Sequence, residues 1–432
     1  MELSYCTNVH PAEDLDGIID QLHRHAGPVR REAGLDTLGV GLWLPVGAAA
    51  ELAGDAAARD RLRDALASEG LTLRTVNAFP YTGFHDDVVK LAVYRPDWTT
   101  PERLRYTTDC ATVLAELLPE GGTGSISTLP LGWRTGWDAS ADAAAEENLR
   151  AVVGHLRGLE ARTGRTVRLA IEPEPGCILD NVSDVVAWLG ARPSLVEDGY
   201  VGLCLDTCHL AVSFADPVGA VAAATAAGVW VVKVQASVAL EVPDPGAPGA
   251  MAALEPFAEA RYVHQVRAQP VGGAGAGAED FGDVPQAAGV WPDAGDAADA
   301  ERPLAADDLV DVLRADPPWP VDRPWRVHVH VPLHARPAEP LRATTEVLAA
   351  AVAAVLDAPH GEAAHLDVET YTWHVLPDQL QPTSLVEGIA AELRWATEHL
   401  GAAVHPTAVH PTADAADLAA AGTTRTREEV AR

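Results

Sequence analysis

The sequence VGLCLDTCH at residues 201–209 decides the fold class. It begins with small and apolar residues, as in a strand that is buried on both faces of a parallel sheet. Its first charged side chain, Asp206, stands where the strand should end, and His209 follows directly. Catalytic groups of parallel β/α barrels project from the carboxyl ends of the strands. We therefore predict a barrel strand that delivers Asp206 and His209 to the mouth of the barrel.

The same order of a short β-branched run, a turn and an Ala/Leu-rich helical stretch repeats along the chain. This alternation is typical of a parallel sheet with crossover helices, so we predict an α/β fold, the (β/α)8 TIM barrel. Nine strands are predicted, one more than an eightfold barrel needs: 2–10, 37–45, 71–79, 123–131, 166–172, 201–208, 229–236, 325–332 and 364–371.

The domain organisation is predicted from the segments in which this alternation of strands and helices stops. We predict one barrel domain over residues 1–400, with an insertion at about 237–363 after strand seven. The part 237–324 is rich in Gly, Ala, Pro and Asp and is expected to be loop-rich, apart from a helical piece at 249–268. The tail 401–432 is expected to be disordered or frayed.

The composition limits the classes of function. The chain has 432 residues, 62 of them acidic and 31 lysine or arginine, so its formal charge is −31. Because such a surface repels phosphate polymers and anionic headgroups, we expect no nucleic-acid partner and no membrane insertion. Five cysteines without a CxxC pair, and no basic stretch followed by an apolar run at the start, favour a cytoplasmic protein with reduced thiols.

Three predicted strands end in carboxylates that belong together in a barrel mouth: Glu172, Asp206 and Glu369. Gathered carboxylates repel one another and lose hydration, so they need a compensating cation. Hard oxygen ligands suit Mg²⁺ or Mn²⁺ and tolerate Zn²⁺. The sequence therefore predicts a divalent metal site, and ordinary salt bridges to arginine are the alternative for each carboxylate taken alone.

A glutamate after strand five, LDTCH after strand six and a final glutamate after strand eight resemble the xylose-isomerase-like barrels, which include sugar isomerases, sugar epimerases and barrel endonucleases. More narrowly, the sequence from roughly residue 3 to 400 resembles the EboE family, which is named for metabolite traffic. The similar segments are SYCTNVHP (4–11), NAFPYTGFH (77–85), VYRPDW (93–98), SISTLPLG (125–132), IEPEPGC (171–177), CLDTCHLAV (204–212), KVQASVAL (233–240), RYVHQ (261–265), RVHVHVPL (326–333) and VETYTWHVLP (368–377).

The resemblance implies roles for the strand-end residues. Glu172, Asp206 and Glu369 match metal ligands of the superfamily. Glu172 and Glu369 are also implied as the catalytic groups that move protons on opposite faces of a bound sugar. His209 matches a position that contacts substrate oxygens.

The fourth metal ligand depends on which strand is the seventh. If 229–236 is strand seven, Gln235 stands where sugar epimerases have a histidine, as in hydroxypyruvate isomerase. If 325–332 is strand seven instead, His328 or His330 becomes the alternative ligand. We favour Gln235 because 229–236 follows strand six at the normal crossover length.

Other strand-end residues are candidate contacts to substrate. Lys233 is placed either to bind a carboxylate or phosphate or to pair with a neighbouring glutamate. His10 and Glu174 follow strands one and five, and Trp43 and Trp373 follow strands two and eight. An indole face binds the C–H groups of a sugar or cyclitol well, although a single tryptophan also serves as a plug at a barrel rim.

Two functions from different classes fit these residues. The first is a metal-dependent isomerase or epimerase of a small polyhydroxylated carbonyl compound, such as a sugar or cyclitol. The alternative is a metabolite-binding or traffic protein with little turnover that works with protein partners of an Ebo-type membrane pathway. A nuclease is disfavoured, because the charge is strongly negative and strand two ends in Leu42-Trp43-Leu44 instead of histidine.

Overall fold

Eight parallel strands close into a barrel in the computed structural model of the chain, which describes residues 1–270, 304–316, 318–400 and 405–406. The order of strands around the ring follows the chain, and the last barrel strand pairs with both the seventh and the first. The predicted (β/α)8 barrel is confirmed. Numbered along the chain, the barrel strands are β1 (Glu2–Cys6), β2 (Leu38–Trp43), β3 (Leu71–Asn77), β4 (Thr123–Thr128), β5 (Thr166–Ile171), β6 (Val201–Asp206), β7 (Val231–Ala236) and β13 (His365–Val368).

A second, antiparallel sheet follows β7 directly. Its order is β10-β9-β11-β8-β12. The strands are β8 (Val238–Val242), β9 (Val266–Ala268), β10 (Leu304–Ala306), β11 (Trp325–Val331) and β12 (Arg342–Ala343). The predicted strand 325–332 therefore exists, but it lies outside the barrel, and 229–236 is strand seven.

The helices lie where their capping residues indicate. Thr100 accepts a hydrogen bond from the N–H of Arg103 at the start of one helix, and Gly164 ends another in a left-handed conformation with φ of 65°. The α-helices are α1 (Leu15–Gln21), α2 (Gly27–Glu32), α3 (Val46–Gly54), α4 (Ala56–Ser68), α5 (Pro101–Leu117), α6 (Ala139–Thr163), α7 (Val182–Gly190), α8 (Pro193–Val196), α9 (Thr207–Val212), α10 (Pro217–Ala226), α11 (Ala250–Leu254), α12 (Leu309–Leu313), α13 (Thr345–Asp357) and α14 (Leu385–His399).

Short helical turns complete the connections between these elements. A π-helical turn, Leu22–Ala26, joins α1 to α2. The 3₁₀ helices are Thr7–Val9, Lys90–Tyr94, Glu255–Phe257, Gly361–Ala363, Tyr371–His374 and Asp378–Leu380. No described helix is both long and apolar enough to cross a bilayer.

The inserted segment differs in detail from its prediction. Only the first part of 249–268 is helical, as α11 and a 3₁₀ turn, and its last residues form β9. Helix α13 packs against α9 and α10, so it belongs to the outer layer of the barrel, and the added structure ends at β12. Residues 271–303 lie outside the described part of the chain, and so does the predicted tail 401–432 except for His405–Pro406, which pairs with β1.

Candidate active site

Three carboxylates from three strands meet at the carboxyl end of the barrel. Glu172 follows β5, Asp206 is the last residue of β6, and Glu369 follows β13. One oxygen from each lies within 4.8 Å of the others. All three side chains are buried, with exposed fractions of 4%, 0% and 4%. Residues separated by almost 200 positions in the chain therefore form one cluster, as the barrel topology predicts.

Hydrogen bonds hold one oxygen of Asp206 and leave the other free. Asp206 Oδ1 accepts a bond of 2.9 Å from the Ser237 hydroxyl and one of 2.8 Å from the His209 N–H. The second bond caps α9, so the start of this helix fixes the carboxylate. Asp206 Oδ2 has no hydrogen-bond partner among the described residues, although it is buried.

Two asparagines orient Glu369. The side-chain amides of Asn8 and Asn77 donate to Glu369 Oε1 over 2.7 and 2.8 Å. Asn77 was missed as a site residue by sequence reasoning. It is the last residue of β3, so its position at a strand end was the signal that would have identified it.

The cluster is electrostatically costly without a cation. Burial, together with the negative charge of Asp206, raises the pKa of Glu172 to about 8. Burial and the charges of Glu172 and Asp206 raise the pKa of Glu369 well above its ordinary value. Like charges in a dry site disfavour ionisation in this way, and a bound cation removes the penalty.

His330 reaches the cluster from outside the barrel. It lies on β11, its Nδ1 is 2.8 Å from the main-chain oxygen of Glu369, and its Nε2 is 3.8 Å from Asp206 Oδ2. A carbonyl oxygen accepts only, so Nδ1 carries the proton and Nε2 presents a lone pair. Neither Nε2 nor Asp206 Oδ2 has a hydrogen-bond partner among the described residues. The alternative ligand is thus near the site, although not for the predicted reason, since β11 is not strand seven.

Gln235 lies one residue before the end of β7. Its side chain is fully buried, and neither its amide oxygen nor its amide nitrogen has a hydrogen-bond partner within the described chain. It shares a face of β7 with Lys233, whose side chain crosses the barrel interior to Ser127 of β4. The amide of Gln235 is therefore inside the barrel, one strand away from Asp206.

These donors fit a divalent cation. Carboxylate oxygens from Glu172, Asp206 and Glu369 converge, and unpartnered acceptors on Asp206, His330 and Gln235 need a counterpart in a buried place. Oxygen donors with a single imidazole suit Mn²⁺ or Zn²⁺, and the oxygen donors alone suit Mg²⁺. The buried cluster of Glu, Asp and His is consistent with a divalent metal site.

A second group of polar side chains adjoins the cluster. His209 Nε2 lies 3.1 Å from Glu174 Oε2 and 3.1 Å from His328 Nε2. Burial lowers the pKa of His209, but the nearby carboxylates of Asp206, Glu174 and Glu172 outweigh burial and raise it to about 9.

Two further residues that sequence reasoning did not identify hold this second group in place. Tyr94 donates its hydroxyl proton to Glu174 Oε1 over 2.8 Å, and the Gln265 amide donates to the same oxygen over 3.1 Å. Gln265 also lies 2.6 Å from His328 Nδ1 through its amide oxygen. Gln265 belongs to the quoted segment RYVHQ, but nothing in the sequence shows that this segment returns to the barrel mouth.

The two groups form the polar side of one pocket. It contains about 530 Å³ of empty space, which includes open solvent at its mouth. Aromatic side chains also line this pocket: Phe79, Phe84, Tyr94, Tyr262 and Tyr371. A ligand that carries both hydroxyl groups and C–H surface matches such a lining.

Four predicted substrate contacts lie elsewhere. Lys233 is fully buried in the barrel and pairs with Asp367 over 3.0 Å, not with a glutamate. His10 stacks on His25, and the Trp43 indole N–H donates to the main-chain oxygen of Pro80 over 3.0 Å. Trp373 is buried beside α14. As far as the described residues define the pocket, its lining includes none of these four, namely Lys233, His10, Trp43 and Trp373.

Comparisons with known proteins gave distant matches among solved structures. No protein-family model matches the chain, and no curated protein matches it. Among solved structures, a xylose-isomerase-like TIM barrel protein from Mycobacterium smegmatis in complex with magnesium shares 15% identity, with a TM-score of 0.38, over 56% of this chain and 76% of that one. The 3-keto-D-glucoside 4-epimerase YcjR from E. coli shares 14% identity, with a TM-score of 0.34, over 54% of this chain and 79% of that one.

A third matched structure covers more of the chain. It is AsbF from Bacillus anthracis, which is involved in petrobactin synthesis, with 12% identity and a TM-score of 0.42 over 92% of this chain and 99% of that one. Likenesses this distant say nothing about activity, metal or substrate, and the fold assignment rests on the strand pairing. None of these three matches bears specifically on the EboE family.

Proposed function

We propose that this protein is a divalent-metal-dependent isomerase or epimerase of a small polyhydroxylated carbonyl compound, a sugar or a cyclitol ketone. The observation that carries the proposal is the convergence of Glu172, Asp206 and Glu369 in a buried cluster, of which Glu172 and Glu369 line a pocket. Two carboxylates beside a metal suit the transfer of a proton to and from the carbon next to a carbonyl group.

The metal would be held by Glu172, Asp206 and Glu369, with Gln235 or His330 as a further donor. When bound, a divalent cation supplies a Lewis acid that polarises the oxygens of a carbonyl compound. The protein would provide the proton transfers. Glu172 or Glu369 would take the proton from the carbon next to the carbonyl group. In an epimerisation a carboxylate returns a proton to the opposite face of the same carbon. In an isomerisation it returns a proton to the former carbonyl carbon, and the hydroxyl proton moves to the former carbonyl oxygen.

The surroundings of the two glutamates support these roles. Asn8 and Asn77 donate to Glu369 Oε1, which fixes the plane of the carboxylate and therefore the direction of Oε2. The Cys204 thiol lies 3.6 Å from Glu172 Oε2. The other oxygen, Oε1, lies on the side of His209, 4.0 Å from its Nδ1. Such positioning by fixed neighbours is what proton transfer at carbon needs.

The pocket supports the substrate class. Its polar side presents carboxylates and imidazoles that bind hydroxyl groups, including His209 and Glu174. The aromatic side offers flat apolar faces to ring C–H groups. The proposal therefore places the hydroxyl-bearing edge of the substrate over the carboxylate cluster and its C–H face against Phe79 and Tyr371.

The test is a solvent-deuterium exchange assay. Purified protein loaded with Mn²⁺, Mg²⁺ or Zn²⁺ is incubated with ketoses and cyclitol ketones in D₂O, and deuterium incorporation next to the carbonyl is followed by NMR. We expect exchange with the wild type, a loss of at least about 100-fold in Glu172→Gln and Glu369→Gln, and no change in the exposed control Glu346→Gln.

The same assay tests the second candidate. We propose as the alternative that the chain, as a relative of the EboE family, binds a pathway metabolite and passes it to protein partners. The segments that resemble EboE support this reading, and the enclosed pocket serves a carrier as well as an enzyme. A ligand that binds tightly without any deuterium exchange would favour the carrier and overturn the isomerase.

A further inference from the structure

Three acceptor atoms meet beside the carboxylate cluster, on Glu174, His209 and His328. His209 Nε2 is 3.1 Å from Glu174 Oε2 and 3.1 Å from His328 Nε2, and all three side chains lie in the pocket lining. Each is at most 5% exposed. Glu174 follows β5, His209 is in α9, and His328 is on β11, so barrel and inserted sheet both contribute.

The ring orientation of His209 is fixed by the main chain. Its Nδ1 lies 2.7 Å from the carbonyl oxygen of Pro173, and a carbonyl oxygen can only accept. Nδ1 therefore carries a proton. In the neutral ring, Nε2 then presents its lone pair to Glu174 and His328.

The ring of His328 is fixed by Gln265. The Gln265 amide nitrogen donates to the main-chain oxygen of Pro175 over 2.8 Å and to Glu174 Oε1 over 3.1 Å, which sets the orientation of the amide. The Gln265 oxygen is therefore the acceptor from His328 Nδ1, at 2.6 Å. His328 Nε2, like His209 Nε2, presents a lone pair.

Two lone pairs and a carboxylate oxygen thus converge, and something positive must lie between them. A proton on His209 is one solution, and a metal ion is the other. Ligands of a tetrahedral zinc ion with bonds of about 2.0–2.1 Å are about 3.3 Å apart, close to the two separations seen here. Each ring donates its Nδ1–H to a fixed acceptor. A histidine bound to a metal usually has such an acceptor on its other ring nitrogen.

We propose that Glu174, His209 and His328 form a second metal site, separate from the carboxylate cluster. Two imidazole nitrogens and one carboxylate oxygen are the donor set that suits Zn²⁺. All three donors line the pocket, so the fourth position of the ion is open to a hydroxyl or carboxylate oxygen of the ligand. The site does not depend on the isomerase reaction and would serve a metabolite-binding protein equally.

The test counts metal ions in the intact protein. Metal-free chain is titrated with Zn²⁺, excess is removed, and bound zinc is measured by mass spectrometry. We expect two ions per chain in the wild type, one in His328→Gln, and two in the matched control His155→Gln, whose imidazole lies on α6 beside Thr112. Titration with Co²⁺ should give intense visible absorption in the wild type that His328→Gln loses, because tetrahedral nitrogen-containing sites absorb strongly.

Other outcomes would overturn the second site. A single zinc ion in the wild type that His328→Gln retains means that a proton on His209 fills the position. Two ions in His328→Gln place the second ion elsewhere. If His328→Gln does not fold, the anomalous signal of zinc in wild-type crystals decides, by its presence or absence between the three side chains. Loss of one ion in Glu172→Gln tests the metal site of the carboxylate cluster and not the second site. Loss of deuterium exchange tests the proposed reaction.

Discussion

Lys233 and Asp367 form an ion pair inside the barrel, where neither side chain has exposed surface. Asp367 also accepts a hydrogen bond of 2.6 Å from Ser4, and Lys233 lies 3.3 Å from Ser127 Oγ. The carboxylate fits because β2 has glycine at position 41, where a Cβ would lie 2.2 Å from Asp367 Oδ2. Burial disfavours the charged lysine, but Asp367 together with Cys6, Cys204 and Glu369 outweighs burial and raises the pKa of Lys233 above its ordinary value.

Removing Lys233 should therefore destabilise the protein. We expect Lys233→Met to lower the free energy of unfolding by about 3–5 kcal/mol, because Asp367 would remain buried without a partner. Urea unfolding measures this loss. The control Arg31→Met removes an ion pair to Glu69 in which the arginine is 54% exposed, and it should cost no more than about 1 kcal/mol. If Lys233→Met leaves the stability unchanged but abolishes ligand affinity, the result would instead support the predicted role of Lys233 in substrate binding.

Asn77 is expected to act through Glu369. Replacing it with leucine removes one of the two amides that orient the carboxylate, and losing such an outer partner typically costs about 10–100-fold in metal affinity. Isothermal titration with Mn²⁺ measures the change. Asn148→Leu is the matched control, since the Asn148 amide bonds the main-chain oxygen of Trp98 away from the pocket. Equal affinities in the two variants would contradict the role of Asn77.

At the scale of elements, α14 is tied to the barrel mouth by a buried glutamate. Glu392 Oε1 accepts a bond of 3.0 Å from the Leu333 N–H and one of 2.6 Å from the Thr370 hydroxyl. These residues follow β11 and β13, so one side chain links the helix to both sheets. Burial dominates over these hydrogen bonds and raises the pKa of Glu392 to about 7.

This shift predicts a pH-dependent stability. Because the pKa is raised in the folded state from 4.5 to about 7, the folded protein binds the proton more tightly, and stability falls as pH rises between these values. The loss amounts to at most about 3 kcal/mol at 1.36 kcal/mol per unit. We therefore expect Glu392→Gln to be more stable, relative to wild type, at pH 8 than at pH 5. Urea unfolding of both proteins at the two pH values measures the difference in their free energies of unfolding. The contributions of other titrating groups cancel in this difference. An equal difference at both pH values would contradict the prediction.

At the scale of the whole molecule, the proposed metal site predicts that metal binding is coupled to folding. An ion that binds only the folded chain adds about 2.7 kcal/mol at a free concentration of 100 times its dissociation constant. We expect a chelator to lower the thermal midpoint of the metal-loaded wild type and to have a smaller effect on Glu369→Gln. Calorimetric scans with and without EDTA measure this, and an unchanged wild-type midpoint would count against a bound metal.

The barrel was predictable from sequence because each strand is a local apolar run that ends in a polar residue. Glu172, Asp206 and Glu369 could be grouped for the same reason, since the carboxyl ends of parallel strands share one rim. The approach of His328 and Gln265 could not be predicted. They come from an antiparallel sheet whose pairing depends on contacts between distant segments, and local pattern carries no such information.

Lys233 shows the other limit of sequence reasoning. It was correctly placed on strand seven, but its position along that strand determines which residue it pairs with. Lys233 lies three residues before the end of β7, where it pairs with Asp367 of the neighbouring strand and does not line the pocket. Trp43 likewise stands at the end of β2, yet its indole N–H donates to the main-chain oxygen of Pro80. A position at a strand end identifies a residue as a candidate for the site. The register of the neighbouring strands then determines which of these residues line the pocket.

The ring of strands is completed only when β13 pairs with both β7 and β1, which joins residues near position 2 to residues near position 366. During synthesis on the ribosome, the first seven strands therefore emerge long before the eighth can seal them. Glu369 and both β11 histidines leave the exit tunnel late as well. A nascent chain therefore cannot complete the three-carboxylate cluster until translation has passed the eighth strand, so a half-made barrel lacks one of the three carboxylates.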